Sequence, residues 1–459
     1  MTIKVLKFGG TSVGSPEALR RAAGIIREEL PGGGVVVVSA LGGTTDQLLA
    51  AASASASGDG PAARRALSAL RHRHQAQAEA LGLTAAVAEP WGLLFDRLEQ
   101  MIAGVSLLQE ASPRIRDQVL AVGETLSAHL AAALLDQQGL PARFADAREV
   151  LRTDGRHGAA RPQPGALRAA CGPWRDALGL GAVLVTQGFI GEGPDGATTT
   201  LGRGGSDTSA TLFGEALDAS EVQIWTDVDG ILSADPSLVP GAAPIPAMSV
   251  AEATALTAFG AKVLHADSLA PVARARIPLV VANTHRPRAS RTEIRHAGPA
   301  RRPGEVTSVA YKEGLSLLRF PSAFRLEDLL GQALALQEAG ALRFGLLANP
   351  EGALLALRPE TPAAQALVAA LAADGVEVQR GWAVVALVGE GLRQDPGAAL
   401  RLLAPLDHEP IGGLLTGSSG VSVAFLVPEA RLADLIPRLH ARCLEAFQPP
   451  STLPVPELP

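Results

Sequence analysis

Several features are scarce or missing in this chain of 459 residues. Its only cysteines, Cys171 and Cys443, lie far apart, which argues against a disulfide scaffold or a zinc cluster and fits a reducing compartment. No signal peptide opens the chain, and no apolar run reaches the length of a membrane span. The net charge is −6 and no long basic run occurs, so nucleic acid is not expected as a partner. We therefore expect a cytoplasmic protein that binds neither nucleic acid nor membrane.

Lysine is also scarce, because arginine supplies nearly all of the remaining positive charge. The four lysines are Lys4, Lys7, Lys262 and Lys312. A lysine that persists in such a composition suggests that arginine would not serve at that position. Lys7 and Lys262 lie in glycine-containing segments, whereas the other two give no such indication.

The chain is long enough for two or three domains, and a hydrophobic content of 47% with 19% charged residues is typical of a globular protein. Its first notable segment, Lys7 to Gly14, follows the apolar run Ile3–Leu6 and precedes a helix start at Ser15-Pro16-Glu17. Backbone N–H groups at such a turn, together with a helix dipole, can hold phosphate. An ordinary strand-to-helix turn is the alternative.

A second buried strand over residues 35–39 leads into the small and hydroxyl residues from Ser39 to Thr45. Such turns at the carboxyl ends of parallel strands are where α/β proteins bind ligands. We expect residues 51–63 to form a flexible surface loop and residues 64–138 to be mostly helical.

Glu124 is the only charged side chain between Asp117 and Asp136 of an apolar helical pattern. A carboxylate buried in such a helix needs a cationic or hydrogen-bonding partner. That partner is either a nearby arginine or the ammonium group of a ligand, and the residues alone favour the structural alternative.

The segment from Thr200 to Ala210 combines three glycines with Arg203 and Asp207. The glycines allow close approach of an anion, and Arg203 offers a planar fork for a carboxylate or phosphate. Asp207 either caps the following helix or orients a lysine or a phosphate-bound metal, and the glycines favour the functional alternative.

Several more polar residues follow the next predicted strand. Thr226 and Asp227, at its end, are placed to meet a nucleotide. We interpret Asp229-Gly230 as a plain turn, and His265 as a core or surface histidine.

From Glu305 onward the order strand–helix–strand–strand–helix occurs twice, which indicates paired α+β regulatory or assembly units. Residues 285–303 are rich in arginine and proline and are expected to form a linker or an exposed edge. The proline-rich tail from Pro449 is expected to be loosely ordered.

No P-loop and no protein-kinase catalytic loop occurs, yet the segments together resemble the aspartate kinases (aspartokinases) of the amino-acid kinase superfamily. The segments that carry the resemblance are Lys7–Gly14, Ser39–Thr45, Gly123–Ser127, Gln187–Phe189, Leu201–Asp207, Trp225–Gly230, Ala234–Pro236 and Phe259–His265. The C-terminal units are similar to the family's paired ACT domains, and Val388-Gly389 and Thr416 to Ser419 match the second of these.

The resemblance implies an α/β fold with a mainly parallel sheet sandwiched by helices, followed by two ferredoxin-like ACT units. We accordingly expect a catalytic domain over residues 1–285 and a linker over 286–304. ACT-like units are expected over 305–380 and 381–448, and a tail over 449–459.

The implied reaction moves the γ-phosphoryl group of ATP to the side-chain carboxylate of L-aspartate, giving 4-phospho-L-aspartate, the first step towards lysine, threonine and methionine. The attacking carboxylate is already ionised at neutral pH, so the reaction needs charge neutralisation and positioning more than a base. The resemblance implies that Lys7 and Asp207 are catalytic. Arg203 would hold the α-carboxylate and Glu124 the ammonium group. Ser39 and Thr45 would lie near the reacting end. Nucleotide contacts are implied for Lys7, Phe8, Gly9, Gly10, Thr11, Gly204, Thr226, Asp227, Asp235, Lys262 and Val263, with Mg²⁺ carried mainly by the phosphates and no protein metal ligand.

Some positions depart from the family pattern. Ser237 replaces the arginine of an Asp-Pro-Arg stretch, Leu232 stands where an aromatic residue is common, and Asp46 replaces a frequent asparagine. The effector-binding features of the first ACT-like unit are not recognisable, which leaves inhibition by lysine or threonine open. The family resemblance implies a homodimer or higher homo-oligomer.

Two other functions remain as alternatives. One is a kinase of the same superfamily acting on glutamate, UMP or carbamate. The other is a catalytically silent amino-acid sensor. The Arg203/Glu124 pair and the ACT-like units favour aspartate as the substrate, and the presence of Lys7 and Asp207 favours an active enzyme.

Overall fold

The computed structural model describes residues 2–260, 263–321, 326–349, 352–403, 410–416 and 419–445. The chain divides into two compact units. The first consists of Met1–Ile231, Pro246–Val250 and Val263–Ala297, and the second of Leu232–Ile245, Ala251–Lys262 and Gly298–Pro459.

The first unit is built on an eight-stranded, mainly parallel sheet, which confirms the predicted α/β class. Its strands, including a separate two-stranded hairpin of β5 and β6, are β1 (Lys4–Phe8), β2 (Gly34–Val38), β3 (Ala142–Phe144), β4 (Val183–Gln187), β5 (Ile190–Glu192), β6 (Thr198–Thr200), β7 (Glu221–Thr226), β8 (Ala247–Ser249), β9 (Leu279–Asn283) and β10 (Thr292–Arg295). The order in the large sheet is β3-β4-β2-β1-β7-β9-β10-β8, and only the β9–β10 pair is antiparallel. Because β1 and β2 are neighbours in register, the turns that follow Phe8 and Val38 lie side by side.

Ten helices accompany these strands in the described residues, the ninth continuing into the second unit. They are α1 (Pro16–Glu29), α2 (Thr44–Ala56), α3 (Gly60–Leu81), α4 (Thr84–Leu108), α5 (Pro113–Gln137), α6 (Pro164–Ala170), α7 (Gly172–Gly179), α8 (Gly205–Ala216), α9 (Val250–Ala258) and α10 (Ala266–Ala275). The predicted start of α1 is confirmed, since the Ser15 side chain accepts from the amide of Ala18 and Pro16 opens the helix.

The surface loop predicted over residues 51–63 is wrong. Helix α2 continues to Ala56, and α3 begins at Gly60. Ala51, Ala52 and Ser55 are buried against the neighbouring helices, and the Ser55 hydroxyl donates to the carbonyl of Ile102. The small residues that suggested a flexible loop are the ones that let helices pack closely.

The linker predicted over residues 286–304 contains a strand of the first sheet. Strand β10 lies between β9 and β8, and the side chains of Thr292 and Ile294 are fully buried. A strand of four residues flanked by arginines and prolines is too short to give a clear alternating pattern.

Helix α5 has the length and hydropathy of a membrane span, but 78% of its apolar window is buried inside the fold. Most of its side chains pack in the core of the first unit, together with Phe8, Leu48 and Trp91. It is the central helix of this core, and it carries Glu124.

The second unit is an α+β structure around a six-stranded antiparallel sheet, as predicted for the C-terminal region. Its elements are β11 (Ser308–Pro321), α11 (Leu326–Glu338), β12 (Ala341–Asn349), β13 (Gly352–Pro359), α12 (Pro362–Ala373), β14 (Glu377–Val388), α13 (Gly391–Gln394), α14 (Gly397–Leu403), β15 (Gly413–Thr416), β16 (Ser422–Pro428) and α15 (Leu432–Glu445). Gly417, Ser418 and the tail 449–459 lie outside the described residues.

The two long strands β11 and β14 each serve both halves of this sheet. Residues 315–319 of β11 pair with the first part of β14, whereas residues 308–312 pair with its last five residues. The sheet order β12-β13-β11-β14-β16-β15 therefore contains two overlapping four-stranded arrangements that share their central strands. The predicted boundary at residue 380 falls inside β14. The two predicted units are therefore not separate sheets that follow one another along the chain, because β14 takes part in both.

Candidate active site

A cavity of about 410 Å³ opens at the carboxyl ends of β1 and β2. Eight of the predicted site residues line it, and they come from four separate segments of the first unit. These residues are Lys7, Gly10, Ser39, Thr45, Glu124, Arg203, Gly204 and Asp207. The structure thus brings together residues that are up to 200 positions apart in the sequence (7 to 207).

Lys7 is the last but one residue of β1, and its side chain is largely buried. Its ammonium nitrogen lies 2.5 Å from Oδ1 of Asp207, in the first turn of α8. Asp207 does not cap α8, because the N-cap position is Gly204 and no side chain bonds there. The carboxylate therefore fixes the Lys7 ammonium group at the cavity wall.

Glu124 is buried in α5, and its Oε2 atom has no hydrogen-bond partner among the described residues. Desolvation raises the pKa of Glu124 to about 7, and hydrogen bonding from the backbone amides of Glu124 and Ala40 offsets this only in part. A polar atom buried without a partner is costly, so a cationic group entering the cavity would find a strong acceptor here.

Gly123 permits the close packing that brings Glu124 to the cavity. A Cβ atom at this position would lie 2.9 Å from Cγ2 of Thr44 and 3.1 Å from Cβ of Ala40. Any larger residue would push α5 away from α2 and from the turn after β2.

Arg203 lies in the turn before α8, with an exposed side chain that forms no ion pair with any described residue. Helices α2 and α8 begin beside the same cavity, after Gly43 and Gly204, and both glycines have positive φ angles of 81° and 72°. Two helix N-termini and an unpaired guanidinium make this side of the cavity attractive to anions. A Cβ atom at Gly204 would also collide with His265.

The turn after β1 offers further donors. The amides of Gly10 and Thr11 donate to no acceptor of the described residues, whereas the amide of Gly9 donates to the carbonyl of Trp225. The ring of Phe8 is fully buried and stacks on Trp225, so Phe8 presents no side chain to a ligand.

The remaining predicted nucleotide residues that the structure describes do not line this cavity. Thr226 ends β7, and its hydroxyl donates to the exposed Asp227. Asp235 lies in the second unit, where it accepts from Ser237 and Tyr311. Val263 is half-buried in the first unit, and Lys262 lies outside the described residues.

Asp229 has the structural role that the sequence suggested for its turn. Its carboxylate accepts from the Asn283 amide at 2.6 Å and pairs with Arg286. Gly230, with a φ angle of 89°, packs against Thr292.

Phe189 belongs to the segment Gln187–Phe189 that carries the family resemblance, but it is not among the predicted site residues; it also lines the cavity. Its φ angle is 70°, a left-handed conformation that is strained for an aromatic residue. Its amide donates to the Ser209 hydroxyl oxygen at 3.0 Å, and its carbonyl accepts from the amide of Leu201. In the sequence, the neighbouring Gly188 is the one residue that indicates an unusual turn at this position.

A protein-borne metal centre is not evident in the part of the chain that the structure describes. No group of three or more His, Cys, Asp or Glu side chains is arranged there as metal ligands. The donors at the cavity, backbone amides and cations, suit phosphate oxygens.

Comparison with known proteins agrees with this architecture. The profile of the amino acid kinase family matches residues 2–283. The chain is 33% identical over 461 residues to lysine-sensitive aspartokinase 3 of Escherichia coli (strain K12), covering 96% of this chain and 99% of the relative. The crystal structure of E. coli aspartokinase III with aspartate and ADP (R-state) matches with a TM-score of 0.83 at 33% identity, over 96% of this chain and 99% of the other. The E. coli aspartokinase III structure with lysine and aspartate (T-state) matches with a TM-score of 0.79 at 32% identity, over 97% and 100%.

Proposed function

This chain belongs to the amino acid kinase family and, within it, to the aspartokinases, and we propose that its substrates meet in the cavity around Lys7, Glu124 and Arg203. The enzyme transfers the γ-phosphoryl group of ATP to the side-chain carboxylate of L-aspartate. The observation that supports this location is a pair of unsatisfied charges in one cavity. Among the residues that the structure describes, a buried oxygen of Glu124 has no hydrogen-bond partner and the guanidinium of Arg203 has no ion pair.

An α-amino acid complements this pair. Its ammonium group would bind Glu124, and its α-carboxylate would bind the fork of Arg203. The side-chain carboxylate would then point towards Ser39, Thr45 and Lys7. The binding of the substrate thus supplies the partner that Glu124 lacks in the free enzyme.

The chemical step needs little from the protein besides positioning and charge. An oxygen of the aspartate side chain forms a bond to the γ-phosphorus while the bond from that phosphorus to the bridging oxygen breaks, and ADP leaves with the electron pair. The Lys7 ammonium group, held by Asp207, would neutralise the negative charge that accumulates on the transferring group. The amides of Gly10 and Thr11 would donate to the same oxygens.

The nucleotide contacts proposed beyond the cavity are those of Phe8, Gly9, Thr226, Asp227, Asp235, Lys262 and Val263. Mg²⁺ would arrive on the phosphates of ATP and neutralise part of their charge. The protein's own contribution is the set of amides and cations that orient those phosphates.

A substrate panel tests the assignment. ADP release should be observed with aspartate and be negligible with glutamate or UMP. Arg203→Ala should raise the KM for aspartate by a factor on the order of 10–100, because a charged hydrogen-bonded pair is lost. The exposed Arg65, which lies outside the cavity, gives the matched control Arg65→Ala. Turnover with glutamate or UMP alone would contradict the proposal, as would a complete lack of turnover, which would favour a silent sensor.

We propose further that lysine is the feedback effector, acting at the ACT-like units, and that the enzyme is a cytoplasmic homodimer or higher homo-oligomer. Similarity to a lysine-sensitive aspartokinase over 99% of its length supports lysine over threonine. The domains we propose are the catalytic region 1–285, to whose sheet strand β10 also belongs, and the ACT-like units 305–380 and 381–448, which share the pairing of β11 with β14. Titration of activity with lysine and with threonine, and sedimentation velocity, test the effector and the assembly.

A further inference from the structure

Helix α5 carries a second buried carboxylate, Asp117, which none of the steps above uses. Its side chain is 1% exposed. Its Oδ1 accepts from the Thr200 hydroxyl at 2.6 Å, and its Oδ2 accepts from the Thr200 amide at 3.1 Å. The Gly158 amide donates to both oxygens at 3.0–3.1 Å, and Nδ1 of His157 lies 2.8 Å from Oδ2. Both oxygens of this carboxylate therefore accept hydrogen bonds, whereas Oε2 of Glu124 accepts none from the described residues.

The contacts of Asp117 bind it to the segment that carries Arg203. Thr200 is the last residue of β6, three positions before Arg203. The loop containing Gly158 supports the same segment, since the Ala160 amide donates to the Thr200 carbonyl at 2.9 Å. Because the Arg203 side chain has no ion pair within the described part of the chain, the backbone that leads to it determines where its guanidinium lies.

Asp117 also lies on the same helix as Glu124. Glu124 follows Asp117 by seven residues, about two helical turns, so both carboxylates lie on one face of α5. We expect the part of the helix between them to be rigid, because it is buried on nearly every side. Asp117 thus joins the helix that bears one substrate-binding charge to the strand end that leads to the other.

We propose that Asp117 is a positioning residue that fixes the spacing between the Glu124 carboxylate and the Arg203 guanidinium. This inference rests on the substrate-binding roles proposed for those two residues. Lys7 and Asp207 pair with each other, and neither is among the hydrogen-bond partners of Asp117 in the described residues, so the Asp117 contacts do not hold the Lys7 side of the cavity. Loss of the Asp117 contacts should therefore weaken aspartate binding selectively.

The test measures the KM for aspartate, the KM for ATP and kcat in the full-length enzyme. Asp117→Asn keeps the shape of the side chain but leaves one acceptor oxygen for several donors. It should raise the KM for aspartate about tenfold, while the KM for ATP should stay within about twofold of the wild-type value. Thr200→Val removes only the hydroxyl contact and should give a smaller rise in the KM for aspartate. Thr200→Ser keeps the hydroxyl and should leave this KM close to the wild-type value.

Thr199 provides the matched control on the same strand. Its hydroxyl is buried and lies 2.8 Å from that of Thr153 and not within hydrogen-bonding distance of Asp117, so Thr199→Val should leave both KM values unchanged. If Asp117→Asn fails to fold, the contrast between the two valine variants decides the question. Equal KM values for Thr200→Val and Thr199→Val, or a parallel rise in both substrates' KM, would overturn the inference. Arg203→Ala is measured alongside: if it leaves the KM for aspartate unchanged, the proposed function of the site fails and not only the role of Asp117.

Discussion

The buried carboxylate of Glu124 makes the stability and the substrate affinity of this aspartokinase respond to pH in opposite directions. The perturbation that isolates it is Glu124→Gln, which keeps the size of the side chain and removes its charge. The Glu124 side chain is 5% exposed and no described residue forms a hydrogen bond with its Oε2 atom, so in the free enzyme the charged form is destabilised by desolvation.

The size of the effect on stability follows from the pKa of Glu124. Burial raises the pKa of Glu124 from 4.5 to about 7, so the folded state binds more protons than the unfolded state between these values. The stability contributed by this protonation is fully present below pH 4.5 and is lost as pH rises through 7. The shift corresponds to about 3 kcal/mol of unfolding free energy. Ligand-free Glu124→Gln should therefore be more stable than the wild type by up to that amount at pH 8, and equally stable at pH 4.

Binding of aspartate should show the opposite dependence. The ammonium group needs the ionised carboxylate, so the wild-type KM for aspartate should fall as pH rises from 6 to 8. In the glutamine variant this dependence should disappear, and the KM at pH 8 should be at least about 30-fold higher, the effect of removing one partner of a buried charge pair.

Two measurements check this prediction: denaturant unfolding without ligand at pH 4, 6 and 8, and steady-state kinetics over the same range. Glu28→Gln, at an exposed position of α1, controls for the loss of one negative charge. A wild-type KM that is constant between pH 6 and 8, or a glutamine variant that binds aspartate normally, would refute the reasoning.

Three further predictions concern other elements of the first unit. Lys7→Ala should lower kcat at least about 10²-fold with folding retained, because a cation is lost where charge develops; steady-state kinetics and circular dichroism check this. Gly123→Ala should lower the melting temperature and raise the KM for aspartate, because its Cβ would lie 2.9 Å from Thr44 and displace α5. His74 is fully buried and its pKa is lowered to about 4, so stability should fall by about 3 kcal/mol as pH drops from 6.5 to 4, a loss that His74→Gln removes in acid-unfolding curves.

Each of these variants has a counterpart in the same unit. Lys4→Ala removes a lysine that pairs with Glu29 outside the cavity, and it should leave kcat unchanged. Gly24→Ala adds a Cβ in α1 where nothing lies within 4 Å, so it should stabilise the protein slightly. His72→Gln alters an exposed histidine and should leave the acid-unfolding curve unchanged. A prediction is contradicted if a variant and its counterpart show the same change in kcat, in melting temperature or in the acid-unfolding curve, whichever that prediction concerns.

The sequence predicted the parallel strands of the first unit well, because each is a short apolar run that ends in glycine, hydroxyl or charged residues. It predicted α2 and α3 poorly at their junction. Alanine and serine occur both in flexible loops and in closely packed helices, and only the surrounding structure distinguishes the two cases. Strand β10 was missed for a related reason, since its two inward side chains, Thr292 and Ile294, are too few to establish a pattern.

The cavity residues could be predicted where the chemistry is visible in the residue type. Lys7, Arg203 and Glu124 are unusual in their local composition, and all three line one cavity. Phe189 could not be predicted, because its left-handed backbone depends on contacts with Ser209 and Leu201 that come from other elements. The role of Lys262 stays a prediction.

Asp117 and Glu124 show why residue type and burial alone do not separate binding from structural carboxylates. Both are acidic residues on one face of α5, and both are buried. The difference lies in their hydrogen bonds: donors from Thr200, Gly158 and His157 saturate Asp117, whereas one oxygen of Glu124 has no partner. A saturated carboxylate cannot accept a ligand without losing a contact, and an unsaturated one gains stability from it. We therefore assign positioning to Asp117 and ligand binding to Glu124 on the same physical criterion, and the two sets of variants above test that criterion at both positions of one helix.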